Sequence, residues 1–222
     1  MKPFVSCRRG VVMMMMLTAV AIGCSSRGPV RTLDVPEFDP KAAVAAALSA
    51  YDTDGSGGLS AAELEACPGL EAAAPRIDTD GDKTLSRAEL EARFGLYRSA
   101  AATIVPVKYQ VGLDGRPLAA AVVSLAPESF MGAAYTVCTG TTGAGGDVVI
   151  SADAVRRRGF AGVHPGIYRT SVVPAGAAGG KPLTHEKGGE TELGQEVAPD
   201  VPELERAMPL PMTSRRPRSA GR

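Results

Sequence analysis

Tryptophan is missing from the chain, and phenylalanine and tyrosine together make up only 5% of it. A single large α/β enzyme core usually buries more aromatic bulk than that. The 222 residues therefore read as small segments joined by loops, in keeping with 26 glycines and 17 prolines. Histidine is nearly missing too. His164 precedes a Pro-Gly turn and His185 lies in a polar stretch, so both read as surface loop residues and not as acid–base groups. No HExxH, GxSxG or phosphate-loop sequence occurs, and nothing groups Ser, His and Asp into a nucleophilic site. The expectation is a protein that is not an enzyme. Excess charge is the last absence: 24 Lys and Arg balance 24 Asp and Glu. That excludes a strongly basic nucleic-acid binder, and no nucleic-acid partner is expected. The run Arg156-Arg157-Arg158 reads as a solvated loop.

The zero net charge is a sum over unlike regions. Residues 1–23 are basic, with Lys2, Arg8 and Arg9 and no acid. Residues 39–97 carry eleven acids against five bases, and the last eleven residues carry four arginines and no acid. Val11 to Ile22 is apolar apart from Thr18. That run is too short to cross a ~30 Å hydrocarbon layer comfortably, and it fits a secretory signal. It ends in Ala21-Ile22-Gly23-Cys24, followed by Ser25-Ser26, which resembles the lipobox of bacterial lipoproteins. The resemblance implies cleavage before Cys24 and lipidation of Cys24. The membrane is then a partner, and the location a lipid anchor in the cell envelope: the outer membrane or periplasmic face if there are two membranes. Residues 24–38 are polar with two prolines and read as a tether.

The acidic segment holds two copies of one pattern. Asp52-Thr53-Asp54-Gly55-Ser56-Gly57-Gly58-Leu59-Ser60-Ala61-Ala62-Glu63 spaces its oxygen donors as a calcium loop does. Asp52, Asp54 and Ser56 would give side-chain oxygens, Gly58 its carbonyl, Ser60 a water-mediated contact and Glu63 both carboxylate oxygens. Gly57 would make the sharp turn with positive φ. The second copy runs from Asp78 to Glu89. In it Asp78, Asp80 and Asp82 supply carboxylates, Thr84 a carbonyl, Ser86 a water-mediated contact, and Glu89 closes the loop. Lys83 stands where glycine is expected, at a strain of about 1 kcal/mol, and whether this loop binds stays open. The tandem resembles the EF-hand superfamily over residues 39–97. The resemblance implies helix–loop–helix pairs holding up to two Ca²⁺, with Leu59 and Leu85 on strands that join the loops.

The surrounding residues agree with that pattern. Asp39-Pro40 predicts a helix start, and the Ala-rich stretch to Tyr51 predicts the helix itself. Ser60-x-x-Glu63 and Ser86-x-x-Glu89 each predict a capping box. Pro68-Gly69 is expected to break the first exit helix, and Pro75 falls in the next entering segment, so the inner helices should be short. Methionine is confined to the leader, Met131, Met208 and Met212. Without a Met-rich groove the expectation is structural calcium, not a switch that opens to a target helix.

After residue 102 the pattern changes to short β-rich runs separated by Gly and Pro turns: Ile104–Val111, Ala121–Ala126, Tyr135–Thr139, Asp147–Ser151 and Ile167–Val173. Val111 to Glu128 (VGLDGRPLAAAVVSLAPE), Thr139 to Gly146 and His164-Pro165-Gly166-Ile167-Tyr168-Arg169 resemble carboxypeptidase-regulatory-like, or transthyretin-like, domains. The resemblance implies two antiparallel sheets of about seven strands, with Thr191–Val197 and Ala207–Met212 as the last two. Pro174–Pro182 reads as a mobile loop, and the non-leader cysteines Cys67 and Cys138, in different segments, as unpaired. The fold expectation is α + β and multidomain. It comprises a signal (1–23), a tether (24–38), an EF-hand pair (39–100), an antiparallel β-sandwich (103–212) and a disordered Arg-rich tail (213–222). The function expectation is a calcium-binding, lipid-anchored envelope protein with a structural or interaction role, meeting an envelope protein or glycan. The alternative is an accessory subunit, or a solute- or glycan-binding module, of an envelope enzyme or transporter.

Overall fold

Asp39 and Pro40 open the first helix as the sequence predicts. The Asp39 carboxylate accepts from the Lys41 N–H at 3.0 Å and caps α1 (Pro40–Tyr51). Proline is tolerated at the first helical position because its missing N–H would have had no partner there. The structure is a computed structural model that describes residues 34–176, 181–186 and 190–214. After α1 come β1 (Gly58–Ser60), α2 (Ala61–Leu64), α3 (Pro68–Ile77), β2 (Thr84–Ser86) and α4 (Arg87–Ser99). Strands β1 and β2 pair antiparallel with Leu59 opposite Leu85, and both leucines are buried. Helix α2 is a single turn held by the Ser60–Glu63 capping box. Helix α2 has already ended at Leu64, so Pro68 opens α3 instead of breaking a helix, and Pro75 sits inside α3 without stopping it.

The β-rich residues form β3 (Val107–Leu113), β4 (Arg116–Pro117), β5 (Val122–Pro127), β6 (Cys138–Thr141), β7 (Asp147–Ile150), β8 (Gly166–Val173), β9 (Thr184–His185), β10 (Leu193–Val197) and β11 (Met208–Thr213). Asp114 and Gly115 link β3 to β4 with φ of 49° and 81°, the two positive values of a type I′ hairpin turn. One sheet has the order β10-β8-β5-β6, antiparallel throughout. The other has the order β4-β3-β11-β9, with β7 also pairing β3. The expectation of purely antiparallel pairing needs correction here, because β11 runs parallel to β3. No hairpin connects those two strands. The chain comes from β10 in the other sheet through a 3₁₀ turn at Pro202–Glu205, so nothing forces it to reverse beside β3. A second 3₁₀ turn at Ser129–Met131 and a short α5 (Asp153–Arg157) sit where the sequence reads as loop.

The sequence places a boundary between residues 100 and 103, where α4 ends, but the apolar packing continues across it. The described residues form one compact unit, and one cluster of buried side chains runs from Phe38 and α1 through α3 and α4 to Met212. Phe94 of α4 stacks on Phe130 with ring centroids 5.7 Å apart, and Phe38 meets Tyr135 edge-on at 5.7 Å. Helix α3 lies on β10 at backbone distance. A Cβ on Gly194 would fall 1.6 Å from the Pro68 carbonyl oxygen, and one on Gly69 would fall 2.5 Å from Ile167 Cγ2. Among the described residues no helix is long and apolar enough to cross a membrane.

Candidate metal centre

The first loop gathers its donors by turning its own N–H groups onto them. Asp52 accepts from the Ser56 N–H at 3.0 Å and the Gly57 N–H at 2.9 Å. Asp54 accepts from the Ser56 N–H at 2.9 Å. Gly57 has φ of 85°, as its place in the loop requires. Glu63, in the first turn of α2, spans the loop with both oxygens. Oε1 accepts from the Thr53 N–H at 2.6 Å and the Asp54 N–H at 3.3 Å, while Oε2 accepts from the Ser60 N–H at 2.9 Å. The Ser60 bonds, then those from Thr53, hold the Glu63 carboxyl at about 2, so it is ionised at neutral pH. Asp52, Asp54 and Glu63 each place an oxygen within 4.8 Å of the others.

The second loop repeats the scheme. Asp78 accepts from the Gly81 N–H at 2.7 Å and the Lys83 N–H at 3.0 Å. Asp80 accepts from the Asp82 N–H at 3.1 Å, and Asp82 from the Thr84 N–H at 2.7 Å. Lys83 takes the glycine-like conformation, with φ of 67°. Asp78, Asp80 and Asp82 lie within 4.8 Å of one another. Glu89 stays outside that cluster. Its Oε1 accepts from the Thr79 N–H at 2.7 Å and its Oε2 from the Ser86 N–H at 3.0 Å. Thr79 first, then Ser86, hold the Glu89 carboxyl at about 2. The structure thus brings together six of the seven carboxylates the sequence names, three in each loop, and leaves Glu89 outside the second cluster.

The remaining donors sit on the joining strands and their ends. Ser56 Oγ lies 3.4 Å from the Gly58 carbonyl. Gly58 and Ser60 belong to β1, and Thr84 and Ser86 to β2. Each site is therefore a set of hard oxygen donors with high negative charge, a chemistry that suits a hard divalent cation. Either acidic cluster could hold a metal ion.

Two further groups of residues carry charge into the interior. Glu196 of β10 is buried and accepts from Arg93 Nε at 2.6 Å, from the Tyr97 hydroxyl at 2.5 Å and from Arg76 Nη1 at 3.5 Å. Arg93 also grips Asp200 with both terminal nitrogens, at 2.7 and 3.0 Å. Burial, reinforced by Glu196, pushes the Tyr97 hydroxyl well above its ordinary range, so it remains a donor. Glu128 is also buried; its Oε2 accepts from Arg169 Nε at 3.1 Å, and its Oε1 has no hydrogen-bond partner among the described residues. Sequence reasoning missed both groups, because the partners lie 41 to 120 positions apart.

The histidines differ from expectation. His164 is half-buried, with Nδ1 2.9 Å from the Ala101 carbonyl oxygen, because α4 ends against the turn that carries it. It lines a cavity of ≈ 280 Å³ with Tyr135, Cys138 and Tyr168. His185 forms part of β9 and not a loop. Cys67 and Cys138 are buried and unpaired, and burial pushes each thiol up to about 12, which disfavours the thiolate at neutral pH. In the Arg run, Arg156 is tied to the carbonyls of Thr139 and Ser151 at 2.7 and 3.1 Å. Cys24, the signal and most of the tail lie outside the described residues. No protein-family model matches the chain, and no curated protein or solved structure matches it either.

Proposed function

We propose that this protein binds two Ca²⁺ ions as structural elements of a lipid-anchored cell-envelope protein. The observation that carries the reading is the repeat of one donor arrangement in two loops joined by the Leu59–Leu85 strand pair. In each loop backbone N–H groups already aim the carboxylates inward, which suits a cation that prefers six to eight oxygens. Asp52, Asp54, Ser56, Gly58, Ser60 and Glu63 would hold the first ion. Asp78, Asp80, Asp82, Thr84, Ser86 and Glu89 would hold the second. The ion supplies positive charge that lets these carboxylates crowd together.

A structural role fits better than a sensor role. A sensor must move its helices apart to expose a groove. Here α3 touches β10 at backbone distance, and α4 stacks its Phe94 on Phe130. The β-rich residues support a transthyretin-like sandwich: Tyr109 on one sheet places its hydroxyl 3.2 Å from Thr170 Oγ1 on the other. That half would display a surface to an envelope protein or glycan, while acyl chains on Cys24 hold the chain at the membrane.

Calorimetric titration of Ca²⁺ into residues 32–222 tests the binding. Two ions per chain, with affinities in the range of about 10⁻⁴ to 10⁻³ M found in extracellular modules, are expected. A flat titration refutes the proposal, and a single ion restricts it to the loop without Lys83. Mass spectrometry of the mature N-terminus tests the anchor, with an acylated Cys24 expected and an unmodified one refuting it.

A further inference from the structure

The second loop is the weaker-built of the two. Its closing carboxylate, Glu89, lies outside the cluster of Asp78, Asp80 and Asp82, whereas Glu63 lies inside the first. Asp78 follows the end of α3, and Glu89 lies in the first turn of α4. The distance between those two helix ends therefore decides how far Glu89 must reach. Both helices carry an arginine next to the loop. Arg76 is two residues before Asp78, and Arg93 is one helical turn beyond Glu89. The two guanidinium groups converge on opposite oxygens of one buried carboxylate: Arg93 Nε on Glu196 Oε1 at 2.6 Å, and Arg76 Nη1 on Glu196 Oε2 at 3.5 Å. Tyr97, another turn along α4, donates to the same Oε1 at 2.5 Å. Arg76 is braced on its outer side by Glu203 at 2.5 Å, and Arg93 by Asp200. Among the described residues no ion pair joins α1 or α2, which flank the first loop, to the β-rich half.

We infer that Glu196 is a positioning residue for the second cation site: by holding Arg76 and Arg93 together it fixes the helix ends that bear Asp78 and Glu89. It touches no cation. Its effect passes through two arginines to two ligands, so it acts on the second loop and spares the first. This inference rests on the calcium reading of the loops. Partners that orient metal ligands from behind typically change metal affinity by 10- to 100-fold. Because Glu196 acts only through the placement of α3 and α4 and touches no ligand, the low end of that range is expected.

The test separates the two loops in the full chain. Glu63→Gln disables the first site and leaves the second to be titrated alone; Glu89→Gln does the reverse. Into each background goes Glu196→Gln, and separately Glu196→Asp, which keeps the charge and shortens the reach. With Ca²⁺ as the probe, both Glu196 variants should weaken binding about 10-fold in the Glu63→Gln background. They should leave it unchanged in the Glu89→Gln background. Glu203→Gln, on the exposed side of Arg76, perturbs the brace without emptying the interior; it should weaken the second site less, and in the same direction. Equal weakening in both backgrounds overturns the inference, since general destabilisation would do that. So does an unaltered second site in folded Glu196→Asp and Glu203→Gln. If the Glu63→Gln background binds no Ca²⁺ at all with Glu196 intact, the calcium reading of the second loop fails instead, and takes this inference with it.

Discussion

Lys83 holds a left-handed backbone, φ 67°, in a position where its counterpart in the first loop is Gly57. An L side chain in that region costs about 1–2 kcal/mol. Glycine would remove the strain but gain freedom in the unfolded chain worth about 0.4–1 kcal/mol. Lys83→Gly should therefore raise unfolding stability in chelator by at most on the order of 1 kcal/mol. Urea denaturation reads this directly, and a lower midpoint would contradict it. His164 gives a pH signature. Burial pushes its imidazole below the ordinary 6.5, against the upward pull of the Ala101 carbonyl. The unfolded chain thus takes up a proton at higher pH than the folded one. Stability is full above 6.5 and falls as pH drops from there toward the lowered folded value. Replacing the group by His164→Gln should shrink the loss of urea midpoint between about pH 7 and about pH 5.5. If wild type and variant lose equally over that window, His164 is not the group responsible.

At the scale of elements, the tightest contact is α3 on β10. Gly194 has no room for a methyl group, because the nearest atoms are the Pro68 carbonyl and the Gly69 nitrogen, at 1.6 and 2.8 Å from where a Cβ would lie. Backbone on both sides cannot step aside as a side-chain tip can. Gly194→Ala should cost about 3 kcal/mol or more, at or beyond the usual range for overpacking. Gly95 is the control: it sits inside α4 with open space around it. Gly95→Ala should stabilise by about 0.5–1 kcal/mol, through helix propensity alone. Thermal unfolding of the two variants should move in opposite directions, and a tolerated Gly194→Ala would mean that α3 is not seated as described. The elements also show what a sequence can and cannot announce. Both acidic loops, α1, α4 and the strands β3, β5, β7 and β8 were legible, because their information is local: carboxylate spacing, caps and alternation. Strand β9 and helix α5 were not, being two and five residues long. They exist because β11 and the Thr139–Ser151 region offer partners from elsewhere in the chain. The direction of β11 is likewise set by its arrival from another sheet and not by its own residues.

For the whole molecule, the decisive fact is that the buried apolar cluster does not stop where α4 ends. With a four-residue α2 and a ten-residue α3, the helical segment has little apolar surface to bury within itself. That segment solves the problem by lending α1, α3 and α4 to the core of the β-rich half, a solution invisible in the sequence because it depends on pairs such as Arg93 and Glu196, 103 positions apart. Two consequences follow for stability. Residues 32–222 should unfold in one calorimetric transition, since neither half can leave without exposing the shared core. A cation that binds only the folded chain adds RT ln(1 + [L]/Kd), about 2.7 kcal/mol per site at a hundredfold excess over Kd. Because the core is shared, that gain should raise the melting temperature of the entire unit, sheets included. Scanning calorimetry with Ca²⁺ and with chelator, read beside near-ultraviolet circular dichroism of Tyr109 and Tyr168 in the sheets, checks this. One peak that shifts together with the tyrosine signal is expected. Two peaks, of which only one responds to Ca²⁺ while the sheet tyrosines melt unchanged, would show that the loops stabilise only their own helices.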